Sequence, residues 1–543
     1  MNPDIFSLHH YLTEAFRAAA ASLGAGEITV SIESPKDKSH GDFASPLAML
    51  LAKKLKKPPL SLAQELIKNL KLDPAIVLKV EAVPPGFINI RLNPAFFYAG
   101  LEEVLRQDAR FGFNDQEKNA NLILEFVSAN PTGPLNIVSA RAAALGDSIA
   151  NLLTASGAKV SREYYVNDAG VQARLFGESL LAACDRIQGK NTPAPENGYQ
   201  GAYMEDLGRD YLKLSPPPDP SQWGMEQVLK WHEKSLASYG VSFNRWYSEK
   251  KELHDSGLVQ RTVEELQKAG LTYEKDGAHW IKVSEFGAPK DEVIIKSDGQ
   301  FAYFAADIAY HLEKFKRGFN QAVDIWGPDH HGHILRMKSA IQAAGCDVSR
   351  FTVLIAQQVN LMEGTEKVKM SKREGKFVTM DELLEKVGKD AARFFFVMRG
   401  ANSHLDFDIE VARKQTDENP VFYVQYAHAR ICSLLKKCAE KGLTPQTQAG
   451  AFGSLVEPEP LLLLKEIMEY PQWVVESGRA YEPHRIVTFL QALAGDFHLF
   501  YSKHRILDAP AEVAEARLSL ALGVKTVIRN GLELLGVSAP EQM

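Results

Sequence analysis

Three segments concentrate side chains able to handle charged ligands. The first, SANPTGPLNIVS at 128–139, runs from an apolar stretch into an Ala-rich one and contains Asn130, Pro131, Thr132, Gly133 and Pro134. A stiff Pro/Gly loop that opens a helix presents backbone N–H groups without helical partners, and that end of a helix favours an anion such as phosphate. An ordinary rigid connector has the same composition. The second, GTEKVKMSKREGK at 364–376, sets Lys367, Lys369, Lys372, Arg373 and Lys376 in a Gly-flanked loop behind another apolar run. A mobile cationic loop suits closure over a polyphosphate as negative charge builds up in a transition state, although lysine clusters are commonly solvated faces. The third, WGPDHHGH at 326–333, gathers Asp329, His330, His331 and His333. Imidazole and carboxylate suit zinc or iron, yet no convincing further ligand accompanies them, so contacts to a substrate are expected there and no metal.

Other chemistries drop out. The chain has no Gly-x-x-x-x-Gly-Lys-Ser/Thr loop, and its His232–Glu233 pair has Leu236 where a zinc-binding second histidine would stand. One acid is out of place: Glu125 lies inside the apolar run NLILEFVS at 121–128. A buried carboxylate is costly without a partner, so Glu125 is either half of an internal ion pair or a receptor for a cationic ligand.

These loops need a scaffold, and the apolar patterning supplies one. A strand at 121–128, an Ala-rich helix at 136–153 stopped near Gly157, and a strand at 160–166 make a β-α-β unit with parallel strands. VDIWG, a helix at 334–344 closed by Gly345, and FTVLIAQQV repeat the alternation. A doubly wound, Rossmann-type parallel sheet is predicted, with its ligand crevice beyond the carboxyl ends of the strands. Residues 175–290 read as an insertion with Pro-rich surface connectors at Pro193, Pro195, Pro216, Pro217, Pro218 and Pro220. Residues 1–110 open on an amphipathic helix and continue to the alternating GFINIRL, as a small α+β domain does, and they carry the cluster Lys53, Lys54, Lys56 and Lys57. After about residue 385 helical periodicity dominates, notably at 419–438 and 483–507.

The expected division is thus 1–110, 111–385 and 386–543: a multidomain α/β protein with an N-terminal α+β domain, a catalytic core and a C-terminal all-α bundle. A length of 543 residues agrees with three or four domains. With 62 Lys plus Arg against 68 Asp plus Glu, no global cationic field attracts nucleic acid, so any RNA surface has to be local. Four scattered cysteines fit a reducing, cytoplasmic setting. No apolar run is long enough to span a membrane, and the first twenty residues lack the pattern of a signal peptide.

VSANPTGPL, KMSK at 369–372, YFAADIAYH and HLDFDIEVARKQTDENPVFYVQYAHARI occur in the order found in bacterial class I arginyl-tRNA synthetases. With HGDFASPLAMLLAKK and PGFINIRL near the start and NGLELLGVSAPEQM at the end, the chain resembles that family over essentially its whole length. The resemblance implies activation of L-arginine by ATP, with Mg²⁺ and without zinc, to an arginyl-adenylate with release of diphosphate. Transfer to tRNA(Arg) with release of AMP follows. It also implies a monomer whose N-terminal domain meets the tRNA elbow and whose C-terminal bundle binds the anticodon.

Residue by residue, the resemblance places the guanidinium against Glu125 and Asp307 with Tyr303, and the α-amino and carboxylate end against Asn130 and His330. A planar fork of five donors does call for carboxylates in bidentate reach, which an ammonium cannot match. ATP falls to Pro131, Thr132, Gly133, Pro134, Asn136, Ser139, Lys369, Met370, Ser371 and Lys372, with Asn136, Ser139, Lys369 and Lys372 serving catalysis. Tyr423, Tyr426, His428, Arg430 and Met543 are the expected tRNA contacts, unpaired bases being read by stacking and edge hydrogen bonds.

One motif departs from the pattern. The family carries His-Ile-Gly-His at the head of the first core helix, and here the matching residues are Asn136, Ile137, Val138 and Ser139. Asn and Ser donate hydrogen bonds but cannot become cationic, so slower activation or a compensated site is expected. The alternative is a noncatalytic tRNA-binding paralogue. A cysteinyl-type class I enzyme would need a zinc site that these cysteines do not suggest.

Overall fold

In helix α1 (Leu8–Ser22) the buried side chains are Leu12, Phe16, Ala19 and Ala20, the stripe of an amphipathic helix. The computed structural model describes residues 8–33, 35, 37, 40–364, 366–367 and 378–543, so Lys369, Met370, Ser371 and Lys372 lie outside the described residues. After α1 come β1 (Phe43–Ser45), α2 (Leu47–Leu55), α3 (Pro59–Asn69), β2 (Val77–Val83), β3 (Phe87–Leu92) and α4 (Pro94–Gln107). The three strands form an antiparallel sheet in the order β1-β3-β2, and β3 buries Ile88, Ile90 and Leu92 on one face as its alternation predicts. Lys53 and Lys54 end α2, where cations suit the negative end of the helix dipole.

The core begins with β4 (Asn121–Glu125), α5 (Ile137–Ala155) and β5 (Lys159–Val166). It continues through α6 (Gly170–Ile187), α7 (Ala202–Tyr211), α8 (Pro220–Ser238), β6 (Arg245–Ser248), α9 (Leu258–Lys268), β7 (Thr272–Lys275), β8 (Ala278–Ile281) and β9 (Glu292–Ile295). Then follow α10 (Tyr303–Lys316), β10 (Gln321–Trp326), α11 (His331–Ala343) and β11 (Phe351–Ile355). Five strands pair in parallel in the order β11-β10-β4-β5-β6. Helix α5 is buried on nearly every side, and its small residues let it lie close to the sheet: a Cβ on Gly146 would stand 2.3 Å from the Phe126 ring.

Three expectations change. The strand predicted to reach residue 128 stops at Glu125, because Val127 and Ser128 adopt φ of 69° and 39° and turn the chain. The stretch taken as insertion contains β6, the edge strand of the core sheet, beside helices and the antiparallel β7-β8-β9 sheet. FTVLIAQQV is two strands, β11 and β12 (Val359–Glu363), the latter in a separate sheet. The break has a cause. The fully buried Arg141 of α5 donates to the carbonyls of Gln357 (2.7 Å), Gly400 (3.0 Å) and Ser403 (2.8 Å), so the Gln357 carbonyl points away from any strand partner.

Beyond β13 (Glu366–Lys367), α12 (Met380–Val387) and α13 (Lys389–Val397), the strand β14 (Leu405–Asp408) pairs in parallel with β12, past the point where helices alone were expected. Its alternation of buried Leu405 and Phe407 is the signal that reading overlooked. The remainder is helical: α14 (Ile409–Arg413), α15 (Pro420–Glu440), α16 (Pro458–Ala480), α17 (His484–Lys503) and α18 (Ala511–Leu534). This bundle is tied to the core. Arg393 donates to Asp147 of α5 (2.6 Å), to the Tyr239 carbonyl (3.2 Å) and to the Leu535 carbonyl just past α18 (2.8 Å).

Candidate active site

Glu125, the last residue of β4, is in register with Glu163 on β5 and with Asp324 on β10. Residues opposite one another project from the same face of a sheet, so three carboxylates lie side by side in the core, each at most 7% exposed. Without counter-charges such a row would not stay folded. Helix α10 crosses that face and supplies them. Lys314 Nζ donates to Glu125 Oε2 at 2.6 Å and to Asp324 Oδ1 at 2.8 Å, and His311 Nε2 lies 2.9 Å from Asp324 Oδ2. Arg317 makes two bonds to Glu163, which also accepts from Tyr310 Oη at 2.8 Å. Burial opposes ionisation of Asp324, but Lys314 and His311 outweigh it and hold the carboxyl below its usual range. At Glu125 burial prevails over Lys314 and the carboxyl is pushed up. Ser128 Oγ donates to its other oxygen at 2.9 Å, so both oxygens are engaged within the protein. Of the two readings its burial allowed, the internal ion pair is present.

One turn and two turns back along α10 stand Asp307 and Tyr303, at the crevice end of the helix. Asp307 Oδ2 lies 3.2 Å from His333 Nε2, and its carboxylate is partly open to solvent. Tyr303 is exposed beside the start of α6, where a Cβ on Gly170 would come within 3.1 Å of its hydroxyl. Tyr165, two residues beyond Glu163 on the same face of β5, sits between these acids. Burial raises its phenol strongly, and Glu249, Asp307 and Glu125 each push further in the same direction. Glu249 is a carboxylate 3% exposed just after β6, with His254 Nε2 3.2 Å from its Oε1. Asp307, Glu249 and Glu125 thus all act on the one phenol of Tyr165.

Glu249, Tyr165 and His333 were absent from the sequence-derived site. Once RWYS at 245–248 is read as a core strand, the acid that follows it falls at the crevice, and that signal was available. His330 is exposed on the short turn Pro328–His330, its ring 6.2 Å from that of Trp326. It is His333 that touches Asp307. Among the described residues no group of three or more His, Cys, Asp or Glu side chains is placed to hold a metal.

The loop from Ala129 to Asn136 completes the crevice. Asn130 Nδ2 donates to Gln172 Oε1 of α6 at 2.7 Å. Asn136 is the N-cap of α5: its Oδ1 accepts from the backbone N–H of Val138 and of Ser139, both at 3.0 Å, and from Ser139 Oγ at 3.3 Å. Asn136 thus stabilises the helix start in a way suited to its side chain, while its Nδ2 makes no hydrogen bond to the described residues. The chain leaving the lysine loop returns to this point. Thr379 forms an isolated bridge with Asn136, Met380 N–H donates to the Leu135 carbonyl at 2.8 Å, and Thr379 with Glu382 makes the predicted capping box of α12.

On α15, Arg430 lies over the rings of Tyr426 (4.7 Å) and Tyr501 (5.3 Å) and bonds Tyr426 Oη. Tyr423 and His498 pack edge to face beside them, which makes a partly exposed aromatic platform with a cation on it. His428 is not part of it. It is 1% exposed, with Nδ1 2.9 Å from the Pro540 carbonyl, because it falls on the inner stripe with Val424 and Ile431. The expectation that His428 contacts RNA is corrected accordingly. Met543 is exposed.

Residues 8–92 match the arginyl tRNA synthetase N terminal domain, 233–402 the catalytic domain of class I (R) tRNA synthetases, and 424–543 the DALR anticodon binding domain. The arginine–tRNA ligase of Moorella thermoacetica is 45% identical over 97% of both chains, and that of Desulforamulus reducens 43% identical over the same shares. Among solved structures, Thermus thermophilus arginyl-tRNA synthetase superposes with a TM-score of 0.76 at 25% identity, covering 99% of this chain and 100% of its own. The chain belongs to the arginine–tRNA ligase family.

Proposed function

We propose that this protein condenses L-arginine with ATP to an arginyl-adenylate, releasing diphosphate, and passes the arginyl group to the terminal adenosine of tRNA(Arg), releasing AMP. The observation that carries the reading is the acidic cluster at the crevice end of α10: Asp307 lies 3.2 Å from His333 and is partly open to solvent, and Tyr303 stands beside Gly170 of α6, the helix to which Asn130 of the 129–136 loop is bonded. A guanidinium entering this cluster meets carboxylates on two sides and the Tyr303 hydroxyl at the mouth. Asp307 takes two parallel N–H donors, and Glu249 and Tyr165 accept from the remainder. Glu125, neutralised by Lys314, fixes the floor through Ser128. An ammonium would leave acceptors unpaired, which is a strong basis for rejecting lysine. Asn130 and His330 receive the α-amino and carboxylate end.

Opposite this pocket, Pro131, Thr132, Gly133 and Pro134 line the phosphates, with the Asn136 amide and the Ser139 hydroxyl as neutral donors. Lys369, Met370, Ser371 and Lys372, outside the described residues, are assigned to the nucleotide phosphates. In the transition state negative charge shifts from the α-phosphate to the leaving diphosphate. The donors act by stabilising that charge in place, with no proton transfer needed from Asn136 or Ser139. Mg²⁺ accompanies ATP on its phosphate oxygens, and no side chain is assigned to it.

The Tyr423, Tyr426 and Arg430 platform, with Met543, is assigned to tRNA. The division 1–110, 111–385 and 386–543 agrees in number and order with the domain matches at 8–92, 233–402 and 424–543, although the catalytic match runs past residue 385. A cytoplasmic monomer is the matching setting, and among the described residues no helix is long and apolar enough to cross a membrane. The noncatalytic alternative has no support from the relatives.

The test is arginine-dependent exchange of diphosphate into ATP with tRNA present. The unsubstituted protein is expected to exchange. Asp307→Asn should raise the KM for arginine about 30-fold, the loss of one charge-assisted contact worth about 2 kcal/mol. Tight tRNA binding with no exchange would refute the assignment.

A further inference from the structure

The three carbonyls that bound the loop at 129–133 are all turned into the protein. Tyr164 Oη donates to the Ala129 carbonyl at 2.9 Å, Tyr203 Oη to that of Thr132 at 2.9 Å, and His232 Nε2 to that of Gly133 at 2.7 Å. A carbonyl only accepts, so His232 carries its proton on Nε2, and its Nδ1, 3.0 Å from Tyr164 Oη, is a second acceptor that shares the single Tyr164 proton with the Ala129 carbonyl. In a trans peptide the N–H points opposite to the C=O. Holding the Ala129 and Thr132 carbonyls therefore fixes the N–H of Asn130 and of Gly133 in the other direction. Tyr203 and His232 come from α7 and α8, in the region read as insertion, and not from the sheet. His232 is fully buried, which is unusual for a histidine with no ligand of its own.

The same helix also grips the start of α12. Trp231 Nε1 and Ser235 Oγ of α8 both donate to Asp381 Oδ2 at 2.9 Å. Asp381 is in the first turn of α12, directly after the strand bridge between Thr379 and Asn136. Positions 231, 232 and 235 of one helix thus hold both the loop before α5 and the start of α12.

We propose that α8 is the spacer that sets the 129–133 loop against the start of α12, and that His232 and Tyr203 are positioning residues for ATP in the activation step. Resting on the reading that this crevice binds ATP, the proposal assigns the insertion a task within the chemistry and a source of order where the two signature imidazoles are absent. None of these side chains touches the nucleotide. Tyr203 acts through the direction of the Gly133 N–H, and His232, whose carbonyl partner precedes Pro134 and so turns no N–H, acts by holding the end of the loop against α8.

The test uses the full chain in the diphosphate-exchange assay with ATP and arginine varied separately, and calorimetric titration with ATP. Tyr203→Phe removes one oxygen and His232→Ala removes the imidazole. Each is expected to lower kcat/KM for ATP about tenfold or more, as misplaced positioning groups do, and to weaken ATP binding, with KM for arginine changed less than about twofold. His232→Gln keeps an N–H donor near the Nε2 position and should recover most of the loss. Should His232→Ala fail to fold, Tyr203→Phe carries the test alone. Equal losses for ATP and arginine, a His232→Gln as poor as His232→Ala, or unchanged ATP parameters in Tyr203→Phe would overturn the proposal. Absence of exchange in the unsubstituted protein would count against the enzyme assignment instead, and ATP binding would still report on the loops.

Discussion

Replacing Lys314 by methionine removes the only cation between Glu125 and Asp324 while filling a similar volume. Lys314 and Asp324 have fully buried side chains and Glu125 nearly so, and the two bonds lost measure 2.6 and 2.8 Å. Breaking a buried ion pair from one side typically costs about 3–5 kcal/mol. His311, 2.9 Å from Asp324, can take up part of the load for that acid. The orphan is then Glu125, whose carboxyl burial already pushes upward. We expect a loss of about 3 kcal/mol at pH 7, read from urea unfolding followed by circular dichroism. The sign with pH follows. In the variant the folded state holds a proton on Glu125 more tightly than the unfolded chain does, so stability recovers as pH falls from 7 towards 5.5. In the unsubstituted protein Asp324 has a lowered pKa, and its contribution is lost only at lower pH, as the carboxyl protonates. Adding Glu125→Gln and Asp324→Asn to Lys314→Met should restore most of the stability, since neither site then holds a charge without its partner, and Glu163 keeps Arg317. A cost below about 1 kcal/mol, or no recovery at pH 5.5, would show that the row of carboxylates is not held by charge as described.

Changing Asn136, Val138 and Ser139 to His, Gly and His should speed diphosphate exchange by about tenfold or more, as added donors to a charged transition state do. It should also cost about 1 kcal/mol of stability, because the Asn136 cap of α5 is lost; an unaltered rate would mean that the site is already compensated. Burial lowers the pKa of His232 from 6.5 to about 4, so the folded state resists the proton that the unfolded chain accepts. Stability that is complete above pH 6.5 should decline by about 3 kcal/mol on approach to pH 4, and His232→Gln should remove that part of the slope in urea titrations from pH 7 to 4.5. Arg430→Ala should weaken tRNA binding by about 1–3 kcal/mol in filter binding, as loss of a stacking cation does, whereas His428→Ala should lower thermal stability and leave affinity largely intact.

The parallel core was legible because apolar runs of strand length alternate with an Ala-rich helix, and Gly157 and Gly345 mark the stops. RWYS at 245–248 was not: its Trp and Tyr favour a strand, but the run is only four residues long and the charged EKKE follows it at once. Glu125 was correctly read as an anomaly. Its partner, Lys314, lies 189 residues away on a helix whose counter-charges, His311, Lys314 and Arg317, look in sequence like an ordinary polar face. Tyr303 and Asp307 came from the family resemblance, with which their four-residue spacing on one helix agrees, but Glu249 and Tyr165 lie on and after strands whose register was not legible in the sequence. His428 shows the converse: its type suggested RNA, and the helical period, which places it with Val424 and Ile431, decided otherwise.

The arginine that fastens the bundle to the core also limits how the molecule can be recombined. Arg393 has no room to relax, since a Cβ on Gly536 would sit 2.3 Å from its guanidinium. A hybrid joined near residue 424 takes Leu535 and Gly536 from one parent while Arg393 and Asp147 stay with the other. Parents matched at these four sites are the ones whose helical modules can be exchanged without orphaning a buried cation.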